Sequence, residues 1–571
     1  MLNYIHQYPN PLEDEFNQEF VDSSFDIPIE DLVNMVMHDF ESCENIKILS
    51  VKTVYDQDEV DYNRHTININ YKKKHLDQIP IPKNKFIAES RYGEMIFTIQ
   101  ITTNLSSQII EKRILIPREH EGFYTINSKK WKAIWQLCDA STYTQRGKIT
   151  LKSRMPIIIY QTKNRIATDT EGREWSCTSY SYALDTKSKR RGAKKKTKFI
   201  NPMMIFAAKI GMRRAIEYFG CKDVIDIVEK VDEDMYGTYL YFPWDTQYLR
   251  VHKEIFEEFP YVQSVLCMVK DSANRDFPVE WHLIDNTEYW ICRIGYIGSI
   301  KNKNILSFKD KGQTTVHMIE RLLDSITIMN LRLPDVYKES IYSLLYWIIT
   351  NFDSLKTRNN IDMKNKRIRK NEYIVLSSLG KKVSENVNKL IEKKSKSKMN
   401  TMDTLLELFN FGSDIILAGM RNLSDVVKSD ELVNDMTFLQ DLNYSAKGPN
   451  SLGESSSKLI SAKFRYIHPS HLGVIDLNVS SNSDPGMSGA FTPFMKTYGG
   501  FYFDPAPEPC TARFDFEKTL RQFRKEQLHE KVGKAPQLES FDKYIKYLET
   551  HPEYKEGLEY EPIVIVEKEP D

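Results

Sequence analysis

Apolar and polar positions alternate through the first part of the chain. Residues 46–116 read as strand-like, with Thr-Ile-Asn-Ile-Asn-Tyr at 66–71 and β-rich runs at 95–102 and 112–116, because a period of two places every second side chain on one face of a sheet. At Ser128 the spacing changes. Ser128 suits an N-cap, and Trp131, Ile134, Trp135 and Leu137 recur at helical intervals, so a helix is predicted there. Strand-like segments return over 148–161. Helices are predicted over 202–210, 315–328 and 337–350, then along an amphipathic, lysine-rich stretch from Asn371 to about Lys394. Shorter helices follow at 402–409 and 414–421. From Ser445 onward Gly, Ser, Asn and Pro prevail, a texture of irregular backbone that holds a site or a partner. A charged helix over 516–529 leads to an acidic tail. The pattern as a whole is α+β and multidomain, with no internal repeat.

Length and composition narrow the class. A chain of 571 residues allows three or four domains at roughly 150 residues each, and 41% apolar content with 12% aromatics supplies their cores. The 79 Lys and Arg balance 79 Asp and Glu. Nucleic-acid binding, if present, must therefore come from local clustering rather than from a global cationic field. Glycine and proline, at 23 each, exclude collagen-like and low-complexity classes. The seven cysteines are odd in number and never form a Cys-x-x-Cys pair, which reads as reduced thiols. The most apolar helix-like run, 341–349, falls far short of the roughly 20 residues of a membrane span. The expectation is a soluble protein inside a cell or a particle, with no membrane partner.

Familiar catalytic motifs are missing. The sequence has no phosphate-binding Gly-x-x-x-x-Gly-Lys-Ser/Thr loop, no Gly-x-Gly-x-x-Gly and no His-Glu-x-x-His. Asp56, Asp58, Glu59 and Asp61 crowd carboxylates, but the turn glycine and distal glutamate of a calcium loop are lacking, so a solvated loop is the better reading. His468 and His471 flank Pro469 and Ser470, a spacing that suits either one metal ion with a third ligand from elsewhere or two side chains hydrogen-bonding a local turn. Two basic clusters remain. Lys187, Lys189, Arg190, Arg191, Lys194, Lys195, Lys196 and Lys198 form one, while Lys364, Lys366, Arg367, Arg369 and Lys370 form the other. The second fits a phosphate-binding face and a solvated charged surface equally, while the first leans slightly to phosphate contact.

Taken in order, several segments resemble the N-terminal half of the β subunit of multisubunit, DNA-directed RNA polymerases. Ile116-Pro117, then Gly122-Phe-Tyr-Thr-Ile-Asn127 and Ile134-Trp-Gln-Leu137, is similar to the family's first protrusion stretch. Lys195 to Gly211 resembles the basic lead into the lobe motif. Asp362-Met-Lys-Asn-Lys-Arg-Ile-Arg369 resembles "DHLGNRRIR", one residue shorter, and Met399-Asn-Thr-Met-Asp-Thr-Leu405 resembles "MSTQDTL". Lys447-Gly-Pro-Asn-Ser-Leu452 is similar to the fork's "LGPGGL". The most specific match is Phe464-Arg-Tyr-Ile-His-Pro-Ser-His-Leu-Gly473, which keeps the His, Pro, His and Gly of "VRDVHPTHYGR" at identical spacing. Departures accompany these matches. The family's paired glutamates have no counterpart in 478–489, and Asn443 stands where an arginine is usual. Tyr498-Gly-Gly-Phe-Tyr-Phe-Asp-Pro505 closes the resemblance. The chain thus resembles the N-terminal half of a split β subunit, of the kind encoded by very large bacteriophages.

That resemblance implies a division into protrusion (first part, 1–137), lobe (138–350), protrusion (second part, 351–425), fork with the start of the hybrid-binding region (426–515) and a C-terminal extension (516–571). It implies no catalytic residue in this chain, since the family's Mg2+-binding aspartates lie in the β′ subunit. Lys366, Arg367, Arg369, Asn443, Lys447 and Arg465 are the implied nucleic-acid contacts. Gly448, Pro449, His468, Pro469, His471 and Gly473 are the implied structural turns of the fork. Expected partners are the C-terminal half of β, β′-like subunits, a promoter-specificity subunit, the DNA template and the RNA transcript. The expected place is the host-cell cytoplasm, with packaging in the virion left open. An alternative is a noncatalytic nucleic-acid-binding or polymerase-inhibiting protein derived from a β half.

Overall fold

Helix Ile29–His38 turns Ile29, Leu32, Val33, Val36 and Met37 inward, the spacing of one helical face. Glu30 and Asp31 lie in its first turn, the sign that the helix dipole favours there. The buried stripe packs on an antiparallel sheet in the order Ile46–Val54, Tyr92–Thr102, Ser107–Pro117. Met95, Phe97, Ile99 and Ile101 alternate into the same core. The computed structural model describes residues 27–43, 45–55, 92–103, 106–120, 123–126, 129–145, 147–151, 153, 156–184, 198–220, 225–244, 247–270, 281–298, 305–331, 333–356, 362–394, 402–421, 427–428, 443–445, 467–476, 488–492, 497–498, 502–503, 541 and 545. The segment 66–71, the acidic cluster at 56–61, the basic run at 187–196 and the charged helix at 516–529 lie outside them.

This first core is closed by sequence from far away. Ile374, Val375, Leu379, Val383, Val387, Leu405, Ile416 and Met420 join the residues of 29–133 in a single apolar cluster. A backbone bond fixes the junction, with the Leu115 amide donating to the Ser413 carbonyl at 2.8 Å. The return segment consists of helix Asn371–Val375, a π-helical turn at Leu376–Gly380 and helix Lys381–Lys394.

A second and larger core uses residues between the two halves of the first, from Ile149 to Leu355, together with Phe541. Its sheet runs Lys198–Ile200, Glu174–Leu184, Ile157–Thr168, Lys148–Leu151, Thr142–Gln145. Helix Met203–Ile210 is apolar nearly all round and correspondingly buried. Helix Pro260–Lys270 covers strand Glu174–Leu184 with polar side chains where no further strand among the described residues pairs: Gln263 Oε1 accepts the Thr178 amide at 2.8 Å and Ser264 Oγ the Tyr180 amide at 3.0 Å. Those amides would otherwise be buried without acceptors.

A third, smaller core gathers Leu137, Met363, Ile368, Tyr444, Val474, Ile475 and Phe491. It lies on a six-stranded sheet ordered Ser488–Ala490, Asn443–Ser445, Trp135–Asp139, Lys366–Arg369, Tyr502–Phe503, Thr497–Tyr498.

Two of the sequence expectations need correction. The helix predicted from Ser128 is a pair of strands, Lys129–Ala133 and Trp135–Asp139, in two different sheets. Trp and Ile fit a half-buried pleated surface as well as a helix, and pairing with strands from elsewhere decides. The single helix predicted over 315–328 is two, Ile305–Glu320 and Ser325–Asn330. The break comes at Asp324, whose carboxylate accepts the Thr327 amide at 2.7 Å and caps the second helix. The β-rich runs expected at 95–102 and 112–116 lie within strands Tyr92–Thr102 and Ser107–Pro117, the strand-like stretch 148–161 covers strand Lys148–Leu151 and the start of Ile157–Thr168, and helices Met203–Ile210 and Ile341–Thr350 fall within the expected 202–210 and 337–350.

Candidate functional site

Strand Lys366–Arg369 occupies the interior of the six-stranded sheet, and all four of its side chains are buried. It pairs antiparallel with Trp135–Asp139, bringing Lys366 opposite Asp139, Arg367 opposite Cys138 and Arg369 opposite Gln136. The cross-strand positions supply the polar partners. Lys366 Nζ donates to Asp139 Oδ1, and Arg369 Nε donates to Gln136 Oε1, both at 2.5 Å. Arg367 turns toward helix Asn371–Val375 and grips Glu372 with two parallel bonds of 2.7 Å. It also donates to Asn330 Oδ1 at 3.2 Å, while Asn330 Nδ2 donates back to Glu372 at 3.2 Å. Arg369 lies 3.8 Å from the same carboxylate and 5.0 Å from the Tyr373 ring.

The electrostatics follow from burial. Desolvation alone would raise the Glu372 pKa, but the Arg367 charge and hydrogen bonds outweigh it and hold the carboxyl below its ordinary range. A cavity of about 600 Å³ opens beside the network, lined by Asp39, Asp324, Asn330, Arg367, Arg369 and Lys381 among others. The π-helical turn Leu376–Gly380 forms part of its wall.

These positions differ from a phosphate-facing or solvated cluster. Lys366, Arg367 and Arg369 are only 3%, 6% and 3% exposed, and Asp139, Glu372 and the neutral Gln136 take up their donors in place of phosphates or water. The reason is geometric: a strand inside a sheet buries both faces, so charge placed on it must be paired there. Glu372, Asp139, Gln136 and Asn330 were not singled out by the sequence. Glu372, two residues after the cationic run, was the one local signal.

The His-Pro-Ser-His segment is a tight turn, Pro469–His471, closed reciprocally by its two histidines. His468 Nδ1 accepts the Ser470 amide at 3.3 Å, and His471 Nδ1 accepts the His468 amide at 3.3 Å. His471 is buried, and Gly473 leaves the turn with φ +79°, a left-handed conformation suited to glycine. Ser470 Oγ accepts the Met363 amide at 3.0 Å, which ties the turn to the approach of strand Lys366–Arg369. Both imidazoles thus serve the backbone. Among the described residues no group of three or more His, Cys, Asp or Glu side chains is gathered as a metal ion would require.

Asn443 is exposed on a strand whose next residue, Tyr444, stacks on Phe491 with ring centroids 4.5 Å apart. One sheet body therefore carries Asn443, Lys366, Arg367, Arg369 and, through the bridge between Ile475 and Phe491, the turn of His468, Pro469, His471 and Gly473. Lys447, Gly448, Pro449 and Arg465 lie outside the described residues. Cys43, Cys138, Cys177, Cys267 and Cys292 are buried free thiols. Among the described residues no helix is long and apolar enough to cross a membrane.

Comparison with protein families gives one finding: the model of a family described as "Non-virion RNA polymerase subunit" matches residues 10–518. A search of curated proteins returns no match.

Proposed function

The chain belongs to the non-virion RNA polymerase subunit family, and from that premise we propose that it is the N-terminal part of a split β-like subunit, forming one wall of the channel that holds template and transcript. As an RNA polymerase subunit it works with other polymerase subunits. The finer reading is carried by one observation: residues 29–133 and 374–420, joined by Ile326, build a single core, while most of the stretch from Ile149 to Leu355 builds another. A protrusion interrupted in sequence by a lobe has this arrangement. The ordered motifs from Ile116 to Pro505 support the same reading, as does their distribution over all three cores.

In this reading the chain contributes position rather than bond-making. Nucleotidyl transfer draws on two divalent ions, and the described residues offer no fit for Mg2+. The metal site is assigned to a β′-like partner. The chain would hold the nucleic acid in register with that site, an entropic and geometric contribution to rate. Lys366, Arg367 and Arg369 act here as the internal frame of the fork sheet, since they are buried and their donors are taken up by Asp139, Glu372 and Gln136. Asn443, Lys447 and Arg465 are the proposed contacts to nucleic acid, with the Lys447-Gly448-Pro449 and His468–Gly473 turns shaping the loops that present them. The family's description favours a polymerase acting in the infected host cell over one packaged in the virion. It also weighs against the free-standing binder or inhibitor.

Site-specific photocrosslinking within the assembled polymerase tests the assignment. A crosslinker at Asn443 or Arg465 is expected to label template or transcript, whereas one at Glu174, on the second core, serves as the comparison. Labelling from Glu174 with none from Asn443 or Arg465 would contradict the proposed contacts.

A further inference from the structure

Phe541 lies beyond the stretch that matches the family, which ends at 518, yet it is one of the most deeply buried residues in the protein at 1% exposed. It enters the second core between three aromatic side chains from three helices. Its ring stacks on Tyr342 with centroids 4.3 Å apart and planes inclined by 15°. Tyr218 meets it edge-on at 5.1 Å and Phe206 at 6.0 Å. The Phe541 amide donates to Ser343 Oγ at 3.3 Å, so backbone and ring are held together. Four residues on, Ile545 packs against the same core. Both positions have helical backbone, and an interval of four places them on one helix face.

We infer that the segment carrying Phe541 and Ile545 is a C-terminal strap, docked in an aromatic groove formed by helices Met203–Ile210, Met212–Tyr218 and Ile341–Thr350. The groove is a recognition site for an aromatic side chain, and its occupant is this chain's own C-terminal segment. Three features distinguish the contact from loose packing. Offset and edge-to-face geometries are those that aromatic rings prefer. The hydrogen bond to Ser343 fixes the direction of entry. Tyr342, the stacking partner, is itself held, because its hydroxyl donates to Glu320 Oε1 at 2.9 Å and Glu320 in turn accepts from Lys209 at 2.9 Å. The groove is thus braced through Glu320 and Lys209.

The strap has a consequence for the chain's architecture. Phe503 belongs to the six-stranded sheet and Phe541 to the second core, so the chain joins those two bodies a second time. This inference does not depend on the polymerase reading, because it rests on the contacts of Phe541 alone.

The experiment is a cleavable strap. A recognition sequence for a site-specific protease is inserted between Glu530 and Lys531 of the full chain, the purified protein is cut, and gel filtration at micromolar concentration reports where the C-terminal fragment elutes. The expected result is coelution of the fragment with the body after cutting. Phe541→Ala in the same chain is expected to release it, with affinity lowered by about a hundredfold to a few thousandfold, as loss of a buried aromatic ring implies, while Phe541→Trp retains it. Release of the unsubstituted fragment on cutting would overturn the inference, and so would equal retention of the Phe541→Ala fragment. Because the unsubstituted protein is decisive by itself, misfolding of the alanine variant does not shield the inference.

Discussion

Arg367 and Glu372 face each other through two parallel hydrogen bonds of 2.7 Å at the meeting point of the three cores, both nearly sealed from solvent. Arg367 stands on the six-stranded sheet, Glu372 on the helix that returns to the first core, and Asn330, which bonds to both, on a helix between the first core and the second. Breaking such a pair on one side leaves a buried charge without its partner. Glu372→Gln is expected to destabilise the protein by about 3–5 kcal/mol, whereas the double change Arg367→Met with Glu372→Leu costs less, because no charge is stranded between those two positions. Urea unfolding of the three proteins checks the order. A single variant more stable than the double would contradict it.

The same pair sets an acid limb to stability. The Glu372 pKa is lowered in the folded protein, so its contribution is complete above the ordinary carboxylate pKa and is lost as pH falls through the folded value. Glu372→Gln should therefore flatten the decline of melting temperature between neutral and acidic pH. An unchanged slope would assign the decline to other carboxylates.

Lys112 sets a limb on the alkaline side. Its Nζ donates to the carbonyls of Phe409, at 2.9 Å, and Phe411, and sits 4.1 Å from the centre of the Phe411 ring. Burial lowers its pKa from 10.5 to about 8. The folded protein binds this proton less tightly than the unfolded chain, so stability gained above 10.5 is lost as pH falls through 8. Melting temperature followed from pH 7.5 to 10.5 should carry a rising component that Lys112→Met removes. The same rise in the variant would refute the assignment.

Helices Thr287–Gly298 and Ile305–Glu320 touch through their glycines. A methyl group at Gly295 would lie 1.8 Å from the Phe308 carbonyl oxygen, and one at Gly312 would lie 1.9 Å from that of Ile291. Either alanine forces the helices apart, and each should cost about 3 kcal/mol or more, at the upper end for overpacking. Gly237→Ala, with nothing within 4 Å of the added carbon, should stay within about 0.5 kcal/mol of the parent. Thermal unfolding distinguishes them, and equal effects at 237 and 295 would contradict the packing account.

Much of the fold was legible wherever a local period decides the structure. The buried alternation of Met95, Phe97, Ile99 and Ile101 and the apolar helix at 203–210 needed no distant information. Strands 129–133 and 135–139 did need it: the spacing of Trp131, Ile134, Trp135 and Leu137 suits a helix, and the partner that selects a strand is Lys366–Arg369, far along the chain. The candidate site was obscured in the same way. Three cations within four residues read as a surface because Asp139 and Gln136 arrive from another strand and Glu372 from the following helix. His468 and His471 were readable as a local turn because their hydrogen-bond partners lie within the turn itself. Phe541 gave no local sign of its groove, which is assembled from helices near residues 206, 218 and 342.

Affinity purification of this chain from infected cells, followed by mass spectrometry and a primed-template RNA elongation assay with magnesium, tests the central claim most directly. The account predicts stoichiometric recovery of a chain resembling the C-terminal half of β together with β′-like chains, and RNA synthesis by the recovered complex but not by this chain alone. A monodisperse monomer that binds DNA, recovers none of those chains and extends no RNA would contradict it.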